Sequence, residues 1–248
     1  MMDTMNYLRF LTDTGIEVPA VTTEQMREVD RIATEETGPN LVQMMENAGR
    51  DLALLAMAVL GEKWTVSNIV VLAGSGGNGG GGICAARHLA NRGIDVRLCL
   101  AAPDQLQDIP AFQRKIFQST SGREVAAESL GVDRVDLVID GLIGYGLRSA
   151  PRSPVAELIR WANGTGAPLL ALDVPSGLDA TTGHRPGDAI QPDWTMTLAL
   201  PKTGLLPGRT GQLFLADIGI PQQTYRRLGL PYCNPFGKSF WVPLTCRQ

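Results

Sequence analysis

Three turns carry the residue types that could do chemistry. "GSGGNGGGG" (74–82) puts seven glycines and one asparagine, Asn78, into nine residues. "DGLIGYGLRSAP" opens on Asp140, and "DVPSGLDATTG" opens on Asp173. Glycines let backbone N–H groups approach an anion closely, and a helix start beyond them favours negative charge. Gly74, Gly76 and Gly79 satisfy G-x-G-x-x-G, but so many glycines satisfy several patterns at once, and a plain strand-to-helix turn is the competing reading. A Walker A loop is excluded, because no Lys-Ser or Lys-Thr follows the glycines. The acidic ribose ligand of a dinucleotide fold belongs about 20 residues further on. Asp104 is nearest but late, so that role stays open.

Asp140 and Asp173 each end an apolar run, where a carboxylate has no packing duty. Either could instead cap a helix or close an Asx turn. Asn78, Asp140 and Ser176 are all oxygen donors, and together they could hold a monovalent or other hard cation. Lys202, in "LALPKTGLLPG", either reaches the same crevice or is a surface lysine. His88 lies in a helical pattern beside Arg87 and is expected to pack or face solvent; His184 is expected to be solvated. Neither has an obvious Ser or Cys partner, which disfavours a hydrolase triad.

These residues need strands to present them. "NIVVLAG", "DVRLCLAA", "VDLVIDG" and "PLLALDV" are continuous apolar runs, as expected of strands buried on both faces of a parallel sheet. Helical patterns alternate with them in "GICAARHLANRG", "IPAFQRKIFQST" and "PVAELIRWANG". Two further strands, "WTMTLAL" and "GQLFLADIG", follow with no long helix between them. Upstream, "TTEQMREVDRIATEE" begins at a Thr22 or Thr23 cap with Met26, Val29, Ile32 and Ala33 on one face, and a second helix runs from Asn40 to Gly61. The alternation predicts an α/β chain with a doubly wound, mostly parallel sheet flanked by helices in three layers. Ligands of such sheets bind beyond the carboxyl ends of the strands, where all three turns fall. The expected organisation is an N-terminal arm over 1–20, one domain over 21–230 and an irregular tail over 231–248, rich in Pro and aromatics.

Composition sets the outer limits. A net charge of −3 and 44% hydrophobic residues in 248 describe an ordinary globular chain and give no reason to expect nucleic acid or an anionic membrane as partner. No apolar stretch is long enough for a membrane-spanning helix. Cys84, Cys99, Cys233 and Cys246 match no metal spacing. Cys84 and Cys99 are expected as buried thiols, and a reducing cytoplasm is the expected location.

Read in order, "VTTEQMREVDR", "MMENAGR", "GSGGNGGGGICAARHLANRG", "DGLIGYGL", "LALDVPSGLDATTG", "LALPKTGLLPG" and "ADIGIP" resemble the YjeF N-terminal domain family across residues 21–221. The resemblance implies a Rossmann-like fold and an NAD(P)H-hydrate epimerase, which interconverts the R and S forms of NADH or NADPH hydrated at C6 of the nicotinamide ring. It implies that a separate dehydratase then repairs the S form, and that this chain corresponds to the epimerase part alone. By motif, substrate contacts fall on Gly77, Asn78, Gly79, Gly80 and Gly81, on Gly144, Tyr145, Gly146, Leu147, Arg148, Ser149 and Ala150, and on Asp173. The family's potassium ligands fall on Asn78, Asp140 and Ser176, the same three oxygen donors. Asp173 is the expected acid/base or orienting carboxylate, with Lys202 second. A homodimer through the first two helices is a further expectation. The family's loop usually reads Gly-x-Gly-Asn-Asn-Gly-Gly-Asp-Gly, so Gly77 and Gly81 stand where Asn and Asp are usual. The competing expectation is therefore a degenerate domain that binds a nucleotide or a protein without turnover.

Overall fold

The computed structural model describes residues 8–131 and 134–247. A short hairpin, β1 (Arg9–Thr12) and β2 (Glu17–Val18), precedes two capped helices. Thr22 caps α1 (Thr23–Ile32) reciprocally: the Gln25 N–H donates to its hydroxyl at 3.3 Å, and its own N–H donates to the Gln25 side chain at 2.9 Å. Asn40 and Gln43 repeat the device for α2 (Leu41–Leu60). The expected face of α1 is buried, with Met26, Val29 and Ile32 inward.

The central strands are β3 (Asn68–Ala73), β4 (Asp95–Leu100), β5 (Arg123–Val125), β6 (Leu137–Gly141), β7 (Leu169–Leu172), β8 (Trp194–Leu198) and β9 (Gln212–Ala216). α3 (Gly77–Ala90) joins β3 to β4, α4 (Asp108–Phe117) joins β4 to β5, and α5 (Val155–Gly164) joins β6 to β7. All seven strands run parallel in the order β9-β8-β7-β6-β3-β4-β5. Winding reverses between β3 and β6, so their carboxyl ends flank a crevice at the switch point. α2 and α3 pack on one face with Ile69 and Val71; α5 covers the other with Val70 and Val138. α1 and α6 (Gln222–Arg227) close the β9 end over Leu213 and Leu215. This is the expected three-layer α/β architecture.

Three expectations are corrected. The tail over 231–248 is not irregular throughout: Trp241–Arg247 forms β10, antiparallel to β9. Pro243 hides it in the sequence, because proline within a run argues against an interior strand. The part of the expected arm that is described is also in the sheet, since β1 pairs with β10, Phe10 is fully buried, and β2 extends the edge. Residues 1–7 of the expected arm lie outside the described residues. From Gly77 onward the glycine run is not a loop but the start of α3. Glycine disfavours a helix interior, but here packing overrides propensity. A Cβ on Gly79 would lie 1.8 Å from the Gly74 carbonyl oxygen, and one on Gly80 would lie 2.6 Å from Met45 Sδ.

Candidate active site

The turn after β3 brings the α3 N-terminus against the end of β6. A Cβ on Gly74 would lie 2.0 Å from the Leu142 carbonyl oxygen, so only glycine permits this approach. The first hydrogen bond of the helix runs from Gly80 N–H to Gly76 O at 3.0 Å. The ladder therefore offers no partner to the N–H groups of Gly77, Asn78 and Gly79. Asn78 also turns its side-chain amide inward, and both Oδ1 and Nδ2 are buried without a hydrogen-bond partner.

Asp140, the penultimate residue of β6, is fully buried. Its carboxylate accepts from Leu142 N–H at 3.1 Å, Ser176 N–H at 2.8 Å and the Ser176 hydroxyl at 2.6 Å. Burial nevertheless pushes its carboxyl up to about 6, because these bonds only partly offset the loss of water. The Ser176 hydroxyl also accepts from Ile143 N–H at 2.8 Å, which ties the second turn to the third.

Asp173 follows β7 with φ at 66°, a left-handed conformation that a non-glycine residue rarely adopts. Strain of this kind gathers at functional sites. Its Oδ2 accepts from Tyr145 N–H at 3.0 Å, and its Oδ1 accepts from Lys202 Nζ. Lys202 is not a surface lysine: it is fully buried and also donates to Leu198 O at 2.9 Å. Gly144 lies between the first and third turns. A Cβ there would be 3.0 Å from Asp173 Oδ2 and 3.1 Å from Asn78 Oδ1.

Above these groups opens a cavity of about 710 Å³. Of the expected substrate-contact residues, Gly77, Asn78, Gly81, Gly144, Tyr145, Gly146, Arg148 and Asp173 line it. Gly79 and Gly80 instead face the Gly74 carbonyl and Met45. Leu147 and Ser149 line a separate cavity of about 150 Å³ beside His184, and Ala150 lines neither. Asp30 of α1 escaped the sequence reading, yet it lines the main cavity and accepts from the Tyr145 hydroxyl. The available signal was one acidic residue a turn beyond Met26, beside the apolar face of α1. Burial raises the Asp30 carboxyl above its ordinary range; the Tyr145 bond and the Lys202 charge oppose this, and Asp173 adds to it.

A second cluster, Glu46, Cys84 and His88, is already filled by a cation. Arg87 Nη2 stands 2.7 Å from Glu46 Oε1, 3.2 Å from Cys84 Sγ and 3.5 Å from His88 Nε2. Burial keeps the Cys84 thiol protonated, with its pKa pushed up to about 12. His88 thus packs, as expected, within an ion-paired network.

Among the described residues no helix is long and apolar enough to cross a membrane. The family model described as "YjeF-related protein N-terminus" matches residues 41–204. The NAD(P)H-hydrate epimerase of Dehalogenimonas lykanthroporepellens is 49% identical over 97% of this chain and 99% of its own. That of Rhodopirellula baltica is 34% identical over 87% of this chain and 90% of its own. The bifunctional NAD(P)H-hydrate repair enzyme Nnr of Salinibacter ruber is 36% identical over 82% of this chain, a match covering 41% of that longer protein. The crystal structure of yeast ynu0, YNL200c, superposes with a TM-score of 0.78 at 19% identity over 91% of this chain and all of its own, a likeness of fold.

Proposed function

The chain belongs to the YjeF-related N-terminal family, and from that premise we propose that it is an NAD(P)H-hydrate epimerase acting in the cavity at the β3–β6 switch point. Near-full-length identity of 49% to a protein of that name carries the reading. The site supports it chemically. A cavity of about 710 Å³ suits a large part of a dinucleotide. The free N–H groups at the start of α3 suit a phosphate. Carboxylates on the cavity wall suit proton exchange at C6.

Potassium belongs to the same proposal. Asp140 is a fully buried carboxylate whose hydrogen bonds come from backbone and hydroxyl donors, and Asn78 Oδ1 is buried without a partner. With the Ser176 hydroxyl they form a neutral-plus-anionic oxygen set, the donor chemistry of a hard monovalent cation. A bound ion would supply positive charge against Asp140 and fix the three turns relative to one another. A separate dehydratase that consumes the S form, a cytoplasmic location and pairing of two copies complete the proposal. The four free cysteines support a reducing compartment.

The test supplies an R/S mixture of hydrated NADH with an S-specific dehydratase and follows recovery of the R form. Acceleration over the spontaneous rate, with potassium present, is expected. Its absence at saturating protein would favour a domain that binds without turnover.

A further inference from the structure

Asp30 and Tyr145 come from distant parts of the chain and meet at the cavity wall. Asp30 sits one turn beyond Met26 on α1; Tyr145 sits in the turn after β6. The phenol is held at several points. Its hydroxyl donates to Asp30 Oδ2, its backbone N–H donates to Asp173 Oδ2 at 3.0 Å, and Lys202 Nζ stands 5.9 Å from its ring centroid. Asp30 Oδ1 takes no hydrogen bond from any described residue, and Asp30 lines the cavity. The groups acting on this carboxyl are Tyr145, Lys202, Asp173 and Tyr225 of α6, while Arg27 of α1 lines the same cavity and acts on Tyr145. By contrast, both Asp173 oxygens are engaged, one by Lys202 and one by Tyr145 N–H.

We propose that Asp30, rather than Asp173, exchanges the proton with the C6 hydroxyl of the hydrated nicotinamide, and that Tyr145 is the positioning residue that aims its free oxygen. The role rests on the epimerase reading above. Protonated Asp30 gives its proton to the C6 hydroxyl oxygen. The C6–O bond breaks, its electron pair leaves with the oxygen as water, and the N1 lone pair closes an N1–C6 double bond. Water then adds to the opposite face of C6 and the π pair returns to N1. The proton shed by the added water returns through the cavity to the Asp30 carboxylate, so no proton is gained or lost. Burial raises this carboxyl above its ordinary range, the direction that favours carrying a proton. Asp173, paired with Lys202, holds the Tyr145 backbone in place.

The test measures kcat and KM against pH for the wild type, Asp30→Asn, Asp30→Glu and Tyr145→Phe. Asp30→Asn is expected to lose on the order of 100-fold or more in kcat with little change in KM, and to lose the fall in kcat toward high pH. Asp30→Glu should recover part of the rate, and Tyr145→Phe should move the high-pH limb without abolishing turnover. An infrared difference spectrum of the free proteins, wild type minus Asp30→Asn, should show a carboxyl band titrating above the ordinary Asp range. A folded Asp30→Asn variant with the wild-type rate and pH profile would overturn the role of Asp30 alone. A wild type that does not accelerate epimerisation would overturn the activity and this role together.

Discussion

Lys202 and Asp173 form a buried ion pair beneath the cavity, with side-chain exposures of 1% and 5%. Removing one member of such a pair strands the other charge without water. Lys202→Met should therefore cost about 3–5 kcal/mol. The double variant Lys202→Met/Asp173→Asn should recover much of that stability while staying inactive. Urea unfolding of both variants beside epimerase assays checks this. Equal stability of the single and double variants would show that the pair is not coupled.

Potassium should stabilise the fold in a pH-dependent way. The Asp140 carboxyl is raised to about 6 from its ordinary 3.8. Without a cation, the native state holds that proton more tightly than the unfolded chain. Stability contributed by this group is thus present below about pH 4 and declines as pH rises to about 6, by on the order of 3 kcal/mol. A cation favours the ionised carboxylate, so its benefit should be full above about pH 6 and fade below it. Melting in potassium against tetramethylammonium chloride reads the effect, and Asp140→Asn should abolish the difference.

Two glycines of one helix should tolerate substitution very differently. Gly79→Ala drives a Cβ to 1.8 Å from a backbone oxygen. Nothing there can swing aside, and a loss of at least about 3 kcal/mol is expected. A Cβ on Gly81 meets only Leu172 Cδ2, at 2.8 Å, the far end of a flexible side chain on the cavity wall. Gly81→Asp should fold within about 1 kcal/mol of the wild type and place a carboxylate at the cavity. Circular dichroism melts separate the two outcomes, and the rate of Gly81→Asp shows what the glycine does to turnover.

Thiol reactivity should follow burial. Cys84 and Cys99 are buried, and each thiol is pushed up to about 12 by desolvation. Cys233 is exposed, and Cys246 is half-buried with a raised pKa. A colorimetric disulfide reagent near pH 8 should label Cys233 fast, Cys246 slowly, and the other two only after denaturation. Fast labelling of Cys84 in the native protein would contradict the Arg87–Glu46 network around it.

The parallel strands were legible because burial on both faces writes an uninterrupted apolar run, as in "NIVVLAG". β10 was not, because Pro243 interrupts it. The start of α3 reads as a loop because glycine propensity points that way, while the close approach of its glycines to Met45 and Leu172 lies outside any local window. Asp140 and Asp173 stood out as carboxylates closing apolar strands. Asp30 did not, since its meaning depends on Tyr145, 115 residues away.

The sheet order also sets a timetable for synthesis. β1 leaves the ribosome well before β10, its neighbour on one side in the sheet. Phe10, which faces Val18 in the local hairpin, therefore keeps one side open until β10 has emerged. The parallel strands that carry the three turns can assemble during that interval. The hairpin then docks once β10 is available.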